Sequence, residues 1–380
     1  MPQPADNKAL STHTRGEMKM STKTAGAVRA IDVGFGLVKT SIPVENKHSV
    51  GFMHFPSMAI PADPAANTVL GARRRDTFDI PVRGAVYEVG REVVLAQTGN
   101  DYGREVSDEF YRSPIYEALT KGAMRYMHEA GDRVIDLLVL GLPVNQYLEQ
   151  GRREFLQETF AAEHDLGDGR KLNVKRVLVQ AQPMGGYLEL HQHLGKLNEL
   201  FQQFNPQASA LTNLSDQTVL MVDPGEYTLD WLLLQRGSLT SKASGAASDA
   251  GRYRVVRAVQ DALETKLARP LGAATATRIN EALRSGKPIK LAGVEYPLEE
   301  FDPVIKAVIA DPVSRLIDGL RGMHEFVDVI VIVGGHPERY REVLQERFPK
   351  IPVFVIDNSV EANVRGFQII GESMLAAEVD

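Results

Sequence analysis

Two short segments, far apart in the chain, share the pattern that most constrains how this sequence can fold. The segments are Ile31–Lys39 and Met221–Asp230, and in each an apolar run ends in Asp-x-Gly before a second apolar run begins. This pattern predicts a strand, a tight turn that carries a carboxylate, and a return strand. Because the same hairpin opens each half of the chain, we predict two related domains.

Length and composition agree with two globular domains and exclude several classes of protein. The chain has 380 residues, of which 43% are hydrophobic and 24% charged, as in ordinary domains of middling size. It has no cysteine, which excludes disulfides and thiolate metal sites. A net charge of −6 gives no support for a nucleic-acid surface, although it is compatible with a local basic patch. No apolar run approaches the ~20 residues that span a bilayer, so we expect a cytoplasmic protein without membrane contact.

Strand-like and helix-like segments alternate along both halves of the chain. The runs at 133–142 and 327–333 are almost entirely apolar, which is typical of sheet strands buried on both faces. Helical spacing predicts helices that include 113–130, 185–204, 312–326 and 359–371. Alternation of this kind predicts the α/β class, with sheets covered by helices on both faces.

A polar, turn-rich stretch over 205–216 separates the two halves. We place the domain boundary there, because turn-forming residues concentrate in linkers. The predicted organisation is a disordered tail over 1–27, a first domain over 28–210 with a small insertion at about 44–112, a second domain over 211–358, and a C-terminal helix over 359–380 that returns to the first domain.

The turn of the first hairpin carries groups that suit a polyphosphate with Mg²⁺. Asp32 ends its strand beside Gly34 and Gly36, where the missing Cβ atoms allow main-chain amides to approach an anion. Lys39 on the return strand supplies a compact positive charge. The other hairpin offers Asp223, which could hold Mg²⁺ through water because Mg²⁺ keeps most of its hydration shell.

The second turn differs from an ideal phosphate loop in two residues. Gly225 and Thr228 could donate hydrogen bonds to phosphate, whereas Pro224 removes one amide donor. Glu226 adds a negative charge beside the phosphates, which is unfavourable unless the side chain turns away or assists the metal. Each hairpin alone is also typical of ordinary turn chemistry; the pair, one at the head of each half, is much more specific.

Two further elements complete the predicted site. Gly334 and Gly335 follow a buried strand, so an adenosine could lie against bare backbone there; a simple strand-to-helix turn is the alternative. Gln182 ends the strand-like run at 174–182, where its amide could orient the water that attacks a γ-phosphate. As a single residue it is equally compatible with a surface amide.

The order of these segments resembles that of the actin–Hsp70–sugar kinase superfamily. Asp32–Lys39 is similar to its first phosphate motif and Asp223–Asp230 to its second. The segments 141–147 with Gln182-Pro183, 331–337 and 358–366 are similar to its first connecting segment, its adenosine motif and its second connecting segment. Within the superfamily the chain most resembles the bacterial and archaeal actin-like ATPases of the ParM/StbA plasmid-segregation group.

The resemblance implies two related actin-like (ribonuclease H-like) domains around a nucleotide cleft that binds ATP or ADP. It implies that Asp32 and Asp223 hold Mg²⁺ through water and that Gln182 and Asp223 act in catalysis. The residues implied to contact the nucleotide are Asp32, Gly34, Phe35, Gly36, Lys39, Gly225, Glu226, Tyr227, Thr228, Gly334, Gly335 and His336. Phe35 replaces the small polar residue of many members, so slow hydrolysis is expected.

The function implied by the resemblance is that of an assembly-stimulated ATPase that forms filaments with itself and segregates plasmid DNA through a DNA-binding adaptor. Three other functions use the same fold. A nucleotide-dependent scaffold would bind ATP and scarcely hydrolyse it. A small-molecule kinase needs an acceptor site with a base, for which Asp230 could serve, although no sugar-binding cluster accompanies it. An Hsp70-like chaperone needs a β-rich domain after the ATPase, and the sequence ends before one.

Overall fold

The computed structural model describes residues 27–44, 50–63, 73–96, 107–335 and 337–378. Residues 1–26 of the predicted tail and His336 lie outside these ranges.

The first half of the chain contains the strands β1 (Val28–Val33), β2 (Leu37–Pro43), β3 (Val50–Pro56), β4 (Ile60–Pro61), β5 (Thr77–Val82) and β6 (Ala85–Gly90), the helix α1 (Pro114–Glu129), the strands β7 (Val134–Ile135) and β8 (Leu137–Leu142), the helices α2 (Val144–Leu148) and α3 (Gln150–Phe160), the strands β9 (Glu163–Asp165), β10 (Lys171–Val174) and β11 (Val177–Ala181), and the helices α4 (Gln182–Leu190) and α5 (Leu194–Phe204).

The second half follows the same alternation of strands and helices. Its elements are the strands β12 (Thr218–Pro224), β13 (Leu229–Gln235), β14 (Ser238–Leu239) and β15 (Gly245–Ala247), the helices α6 (Arg252–Leu267) and α7 (Ala273–Ser285), the strands β16 (Ile289–Leu291) and β17 (Val294–Tyr296), the helix α8 (Asp302–Gly319), the strand β18 (Val329–Ile332), the helix α9 (Pro337–Arg347), the strand β19 (Val353–Val355) and the helix α10 (Ala362–Ala377).

The two main sheets are built on one plan. The strand order is β11-β8-β1-β2-β3 in the first and β14-β13-β12-β18-β19 in the second, with β15 also paired to β13. In both sheets a hairpin of antiparallel strands, β1 with β2 or β12 with β13, is extended by a parallel strand, β8 or β18. The predicted α/β class with two related domains is therefore confirmed.

Strand β1 shows how the sequence produces a sheet with both faces covered. Its side chains point alternately to opposite faces. Ile31 packs with the cluster that contains Leu119 of α1, whereas Ala30 packs with the cluster that contains Phe367 of α10. All six residues of β1 are buried, which is why its sequence lacks the polar alternation of a one-sided strand.

Helices α4 and α10 are in direct backbone contact, α10 packing against β1 and β8 of the first sheet and α4 against β12 of the second. A Cβ on Gly366 would overlap the carbonyl of Gly185, and one on Gly185 would overlap the backbone of Asn363. Only glycine allows two helices to approach this closely. As a result, the first turns of α4 and α10, which carry Gln182 and Asn363, lie beside the two hairpins.

The boundaries of two predicted helices are wrong. The predicted helix 185–204 is divided into α4 and α5 by a 3₁₀ turn at His191–His193. The predicted helix 312–326 instead begins at Asp302, and Pro312 lies inside it. A proline inside a helix removes one helical hydrogen bond. The buried face of α8 nevertheless continues on both sides of Pro312, through Ile305, Ile309, Val313 and Leu316 at helical spacing. Burial of this face therefore outweighs the local preference of proline to end a helix. Within the range predicted for the insertion, β3 joins the first main sheet, whereas β4, β5 and β6 form a separate small sheet.

Candidate functional site

Asp32 lies at the end of β1, held by two partners. It faces Lys39 across the hairpin, and the Lys39 Nζ atom lies 2.9 Å from Asp32 Oδ2. Gln182, at the start of α4, donates its Nε2 hydrogen to the other carboxylate oxygen at 2.7 Å. Asp32 is 1% exposed. The structure therefore brings three residues predicted for one site into direct contact.

Asp223 occupies the equivalent place in the second hairpin. It faces Asp230 in the register of β12 and β13, and Asn363 of α10 donates an amide hydrogen to Asp223 Oδ2 at 2.6 Å. Gly334 packs against the same carboxylate with a φ of 76°. Any Cβ at Gly334 would overlap Asp223 Oδ1, so glycine is required there for close approach as well as for its positive φ.

The carboxyl groups of the two hairpins are close enough to affect one another's ionisation. Burial raises the pKa of Asp223 to about 6, Lys39 of the first domain opposes the rise, and Asp32 adds to it. Burial also raises the pKa of Asp230 to about 7. Three carboxyl groups thus share a buried region, an arrangement that a divalent cation would stabilise in its ionised form.

The two turns also touch each other directly. A Cβ on Gly36 would lie 2.9 Å from Glu226 Oε2, so the Glu226 side chain reaches across to the first hairpin. The rings of Phe35 and Tyr227 meet edge to face with centroids 5.5 Å apart. Glu226 forms an ion pair with Arg252, the first residue of α6. The positive charge of Arg252 therefore balances the negative charge that Glu226 places beside the predicted phosphate site.

The hairpins border a cleft of about 720 Å³, within the size range of small-molecule sites. Of the predicted nucleotide- or metal-binding residues that the structure describes, seven line it, namely Gly36, Lys39, Asp223, Gly225, Glu226, Gly334 and Gly335. The side chains of Leu283 and Leu298 add an apolar part, and Arg252, Arg284 and Glu338 add charged groups.

Other predicted site residues contact protein groups. The amide of Gly34 donates to the carbonyl of Leu37 at 3.0 Å within its own turn. The hydroxyl of Thr228 donates to Asp230 at 2.6 Å, because residues two apart at the start of an extended strand lie on the same face, and both are buried here. The role of Thr228 as a phosphate donor stays a prediction, and it would require the hydroxyl to exchange this partner.

The two aromatic residues of the turns also pack away from the cleft. Phe35 stacks on Phe110 at a centroid distance of 5.2 Å, and Tyr227 stacks on Tyr253 at 5.5 Å. Their large apolar surfaces are better buried against each other than exposed to a charged ligand. In the structure the two rings bridge the hairpins, and their contact with nucleotide stays a prediction.

Metal binding was predicted to be indirect. Among the described residues, no group of three or more His, Cys, Asp or Glu side chains is placed to hold an ion. Both oxygens of Asp32 already accept hydrogen bonds. Coordination of Mg²⁺ through water by Asp32 and Asp223 stays a prediction, and the donor chemistry, carboxylate oxygen, fits that metal.

Two residues of the site were missed by sequence reasoning. Asn363 lies within the segment that resembles the second connecting motif, but its bond to Asp223 spans 140 residues of sequence. Arg252 follows Gly251 at the start of helix α6. This local sequence predicts the start of a helix, but it does not indicate that the arginine pairs with Glu226 of the second hairpin. Both contacts arise from tertiary packing.

Comparisons with known proteins give the fold. Residues 30–185 match the family described as actin like proteins N terminal domain. The archaeal actin homologue Ta0583 superimposes with a TM-score of 0.67 at 18% identity, covering 91% of this chain and 99% of that one. The chain has the actin-like fold. The resemblance to the actin-like group, predicted from the order of motifs, is thereby confirmed.

Two filament structures share this actin-like fold. A 15-stranded ParM filament from Clostridium botulinum has a TM-score of 0.62 at 17% identity, covering 92% of this chain and 99% of that one. An AlfA filament bound to AMPPNP has a TM-score of 0.59 at 14% identity, covering 93% and 100%. At such identities the similarity establishes the fold alone. No curated protein sequence matches the actin-like chain.

Among the residues that the structure describes, no helix combines the length and the apolar character needed to cross a bilayer.

Proposed function

We propose that this chain binds Mg-ATP between its two domains, hydrolyses it slowly and polymerises into filaments. The observation that carries the proposal is that two hairpins, one from each domain, border a single cleft. Lys39 contributes a cation from one side, and Gly334 and Gly335 contribute bare backbone from the other. A triphosphate in contact with both hairpins would link the two domains, since it interacts with each of them.

The shape of the cleft supports a nucleotide as ligand. The phosphates would lie between Gly36 and Gly225, where main-chain atoms can approach an anion without obstruction by a Cβ. The nucleoside would lie against Gly334 and Gly335, with Leu283 and Leu298 forming apolar walls. The archaeal homologue Ta0583 was solved in complex with ADP with the same fold, at a TM-score of 0.65.

In this proposal side chains of both domains prepare the chemistry. Mg²⁺, when bound near Asp32 and Asp223, would supply positive charge that neutralises the phosphates. Gln182 is oriented by its bond to Asp32, so its carbonyl oxygen is the group that would accept a hydrogen bond from the attacking water. Asn363 orients the Asp223 carboxylate that would receive the hydrated metal. Lys39 would stabilise the charge that develops on the γ-phosphate.

Assembly would depend on the state of the nucleotide. ATP would favour a closed cleft, and loss of the γ-phosphate would remove part of that preference. Head-to-tail contacts between unlike faces produce filaments when they do not close into a ring. We propose plasmid DNA segregation in the cytoplasm as the biological role, with a DNA-binding adaptor, since a net charge of −6 favours indirect contact with DNA.

Sedimentation with Mg-ATP, with Mg-ADP and without nucleotide tests this proposal. We expect pelleting with Mg-ATP and its loss as phosphate is released. Asp223→Ala should abolish both, whereas the control Asp261→Ala, at an exposed position of α6, should behave as wild type. A protein that stays monomeric with Mg-ATP and phosphorylates a small metabolite would refute the proposal.

A nucleotide-dependent scaffold is the second candidate, because Gln182, the residue proposed to orient the attacking water, is buried against Asp32 and is not among the residues that line the cleft. Phosphate release measured over a range of protein concentrations separates the two functions. An active filament ATPase shows a rate per molecule that rises above a threshold concentration, and a scaffold shows assembly without release. The kinase alternative lacks support, since both carboxyl oxygens of Asp230 accept hydrogen bonds, from Thr228 and from the Val144 amide.

A further inference from the structure

The ion pair between Glu226 and Arg252 occupies the wall of the cleft where the two hairpins meet. Both side chains line the cleft, and they are only 11% exposed for Arg252 and 13% for Glu226. The pair is therefore neither a surface salt bridge nor a part of a domain core. The inference drawn from it rests on the proposed function and concerns how the same cleft takes its phosphates.

The Glu226 carboxylate lies where a phosphate would be expected. Its Oε2 atom approaches Gly36 so closely that a Cβ on that glycine would be 2.9 Å away. A glycine turn at the end of a strand is a typical place for main-chain contact with an anion. The turn of the first domain is thus already in contact with a negative group, which is supplied by the second domain.

Arg252 is placed to meet more than one anion. Its guanidinium pairs with Glu226, and its Nη1 atom lies 3.6 Å from the position of a Cβ on Gly335, in the segment proposed to hold the nucleoside. The guanidinium fork binds carboxylate and phosphate with the same bidentate geometry. A phosphate that entered between Gly36 and Gly335 would therefore compete with Glu226 for the same cation.

The backbone around the pair is held in place, so an exchange of partners would involve side chains only. The amide of Arg252 donates to the carbonyl of Gly225 at 3.1 Å, and the amide of Tyr253 donates to that of Glu226 at 3.1 Å. A Cβ on Gly251 would overlap the backbone of Glu226. The start of helix α6 therefore packs directly against the turn of the second hairpin, and these contacts hold the backbone of Arg252 beside the cleft.

From these contacts we infer that Glu226 is an internal phosphate mimic that competes with the polyphosphate of the ligand for Arg252. In the free protein the carboxylate neutralises Arg252 and fills the space beside Gly36. When the ligand binds, its phosphate forms an ion pair with the Arg252 guanidinium, and the Glu226 side chain leaves both Arg252 and the space beside Gly36. Glu226 lowers the affinity for phosphate-containing ligands, and Arg252 is a positioning residue for their phosphates.

Nucleotide affinity of three variants tests this inference. Fluorescence titration is carried out with Mg-ATP, Mg-ADP and adenosine on the wild type, Glu226→Gln, Arg252→Gln and the double variant. We expect Glu226→Gln to tighten Mg-ATP and Mg-ADP binding about 10-fold, because a like charge beside the phosphates is removed. Arg252→Gln should weaken both by a similar factor. Adenosine, which has no phosphate, should bind all four proteins equally.

The control is the matched pair Glu378→Gln and Arg176→Gln, which alters one acid and one base of an exposed ion pair that does not line the cleft. These changes should leave the ratio of Mg-ATP to adenosine affinity unchanged. If Glu226→Gln does not fold, as judged by circular dichroism, Glu226→Ala takes its place. Weaker or unaltered Mg-ATP binding by a folded Glu226 variant, or an equal loss for adenosine, would overturn the inference.

The outcome for the inference can be separated from the outcome for the proposed function. If the wild type binds neither Mg-ATP nor Mg-ADP but Glu226→Gln does, the inference holds in its strongest form. If no protein of the set binds either ligand, both fail together. If the wild type binds and assembles while Glu226→Gln shows no gain, the inference alone is refuted.

Discussion

Asp230 offers the sharpest physical test of the site, because its carboxyl group is buried and none of the residues that the structure describes brings a cation into contact with it. Its side chain is 3% exposed, and its partners are the Thr228 hydroxyl and the Val144 amide. Burial raises its pKa from an ordinary value of 3.8 to about 7, although both hydrogen bonds oppose the rise. The nearby charges of Asp223 and Asp32 add to the increase.

The sign of the effect on stability follows from linkage. The folded protein keeps the Asp230 proton at pH values where the unfolded chain has lost it. The stability that this group contributes is complete below pH 3.8 and is lost as the pH rises to about 7. At about 1.4 kcal/mol per pKa unit, the part of this loss that falls between pH 5 and pH 7 amounts to about 2–3 kcal/mol.

Replacing Asp230 with asparagine removes the charge and keeps the shape. The asparagine oxygen can still accept the Val144 amide hydrogen, and its amide group can hydrogen-bond to the Thr228 hydroxyl. The free energy of unfolding of Asp230→Asn, relative to the wild type, should therefore increase by about 2–3 kcal/mol between pH 5 and pH 8. Almost all of this increase should occur below pH 7.

Urea denaturation without nucleotide and with EDTA measures this difference. The protein has a single tryptophan, Trp231, which is buried beside Asp230, so circular dichroism should accompany fluorescence to test whether unfolding is two-state. The exposed Asp216→Asn variant is the control, because no burial acts on its charge. A difference between Asp230→Asn and wild type that does not depend on pH would refute the reasoning.

Three further predictions concern the cleft. Gln182→Ala should slow phosphate release about 10- to 1000-fold and leave nucleotide affinity nearly unchanged; a normal rate would contradict its role. Lys39→Met should weaken Mg-ATP about 10-fold or more, and more than adenosine, in fluorescence titration; equal losses would contradict a phosphate contact. Gly334→Ala should cost about 2–4 kcal/mol in urea denaturation because its Cβ would overlap Asp223. The control Gly286→Ala, with φ of 67° and open space, should cost only about 1 kcal/mol, and equal costs would show that the overlap is relieved.

The sequence by itself determined the architecture of the two domains. Hairpins that end in Asp-x-Gly depend on apolar periodicity and on glycine, which are local properties. Buried parallel strands such as β8 are recognisable as continuous apolar runs. For the same reason, Asp32, Lys39, Asp223 and Gly334 could be assigned to one site before their distances were known.

Only the tertiary structure decided what each polar side chain contacts. Arg252 reaches Glu226, Asn363 reaches Asp223, and Thr228 turns to a buried carboxyl group. These outcomes depend on where helices pack and which charges become buried, and both are set by contacts between residues distant in sequence. Tertiary packing also determines where α8 begins. Local preference places Pro312 at the start of a helix, but burial of an apolar face keeps the helix continuous on both sides of this proline.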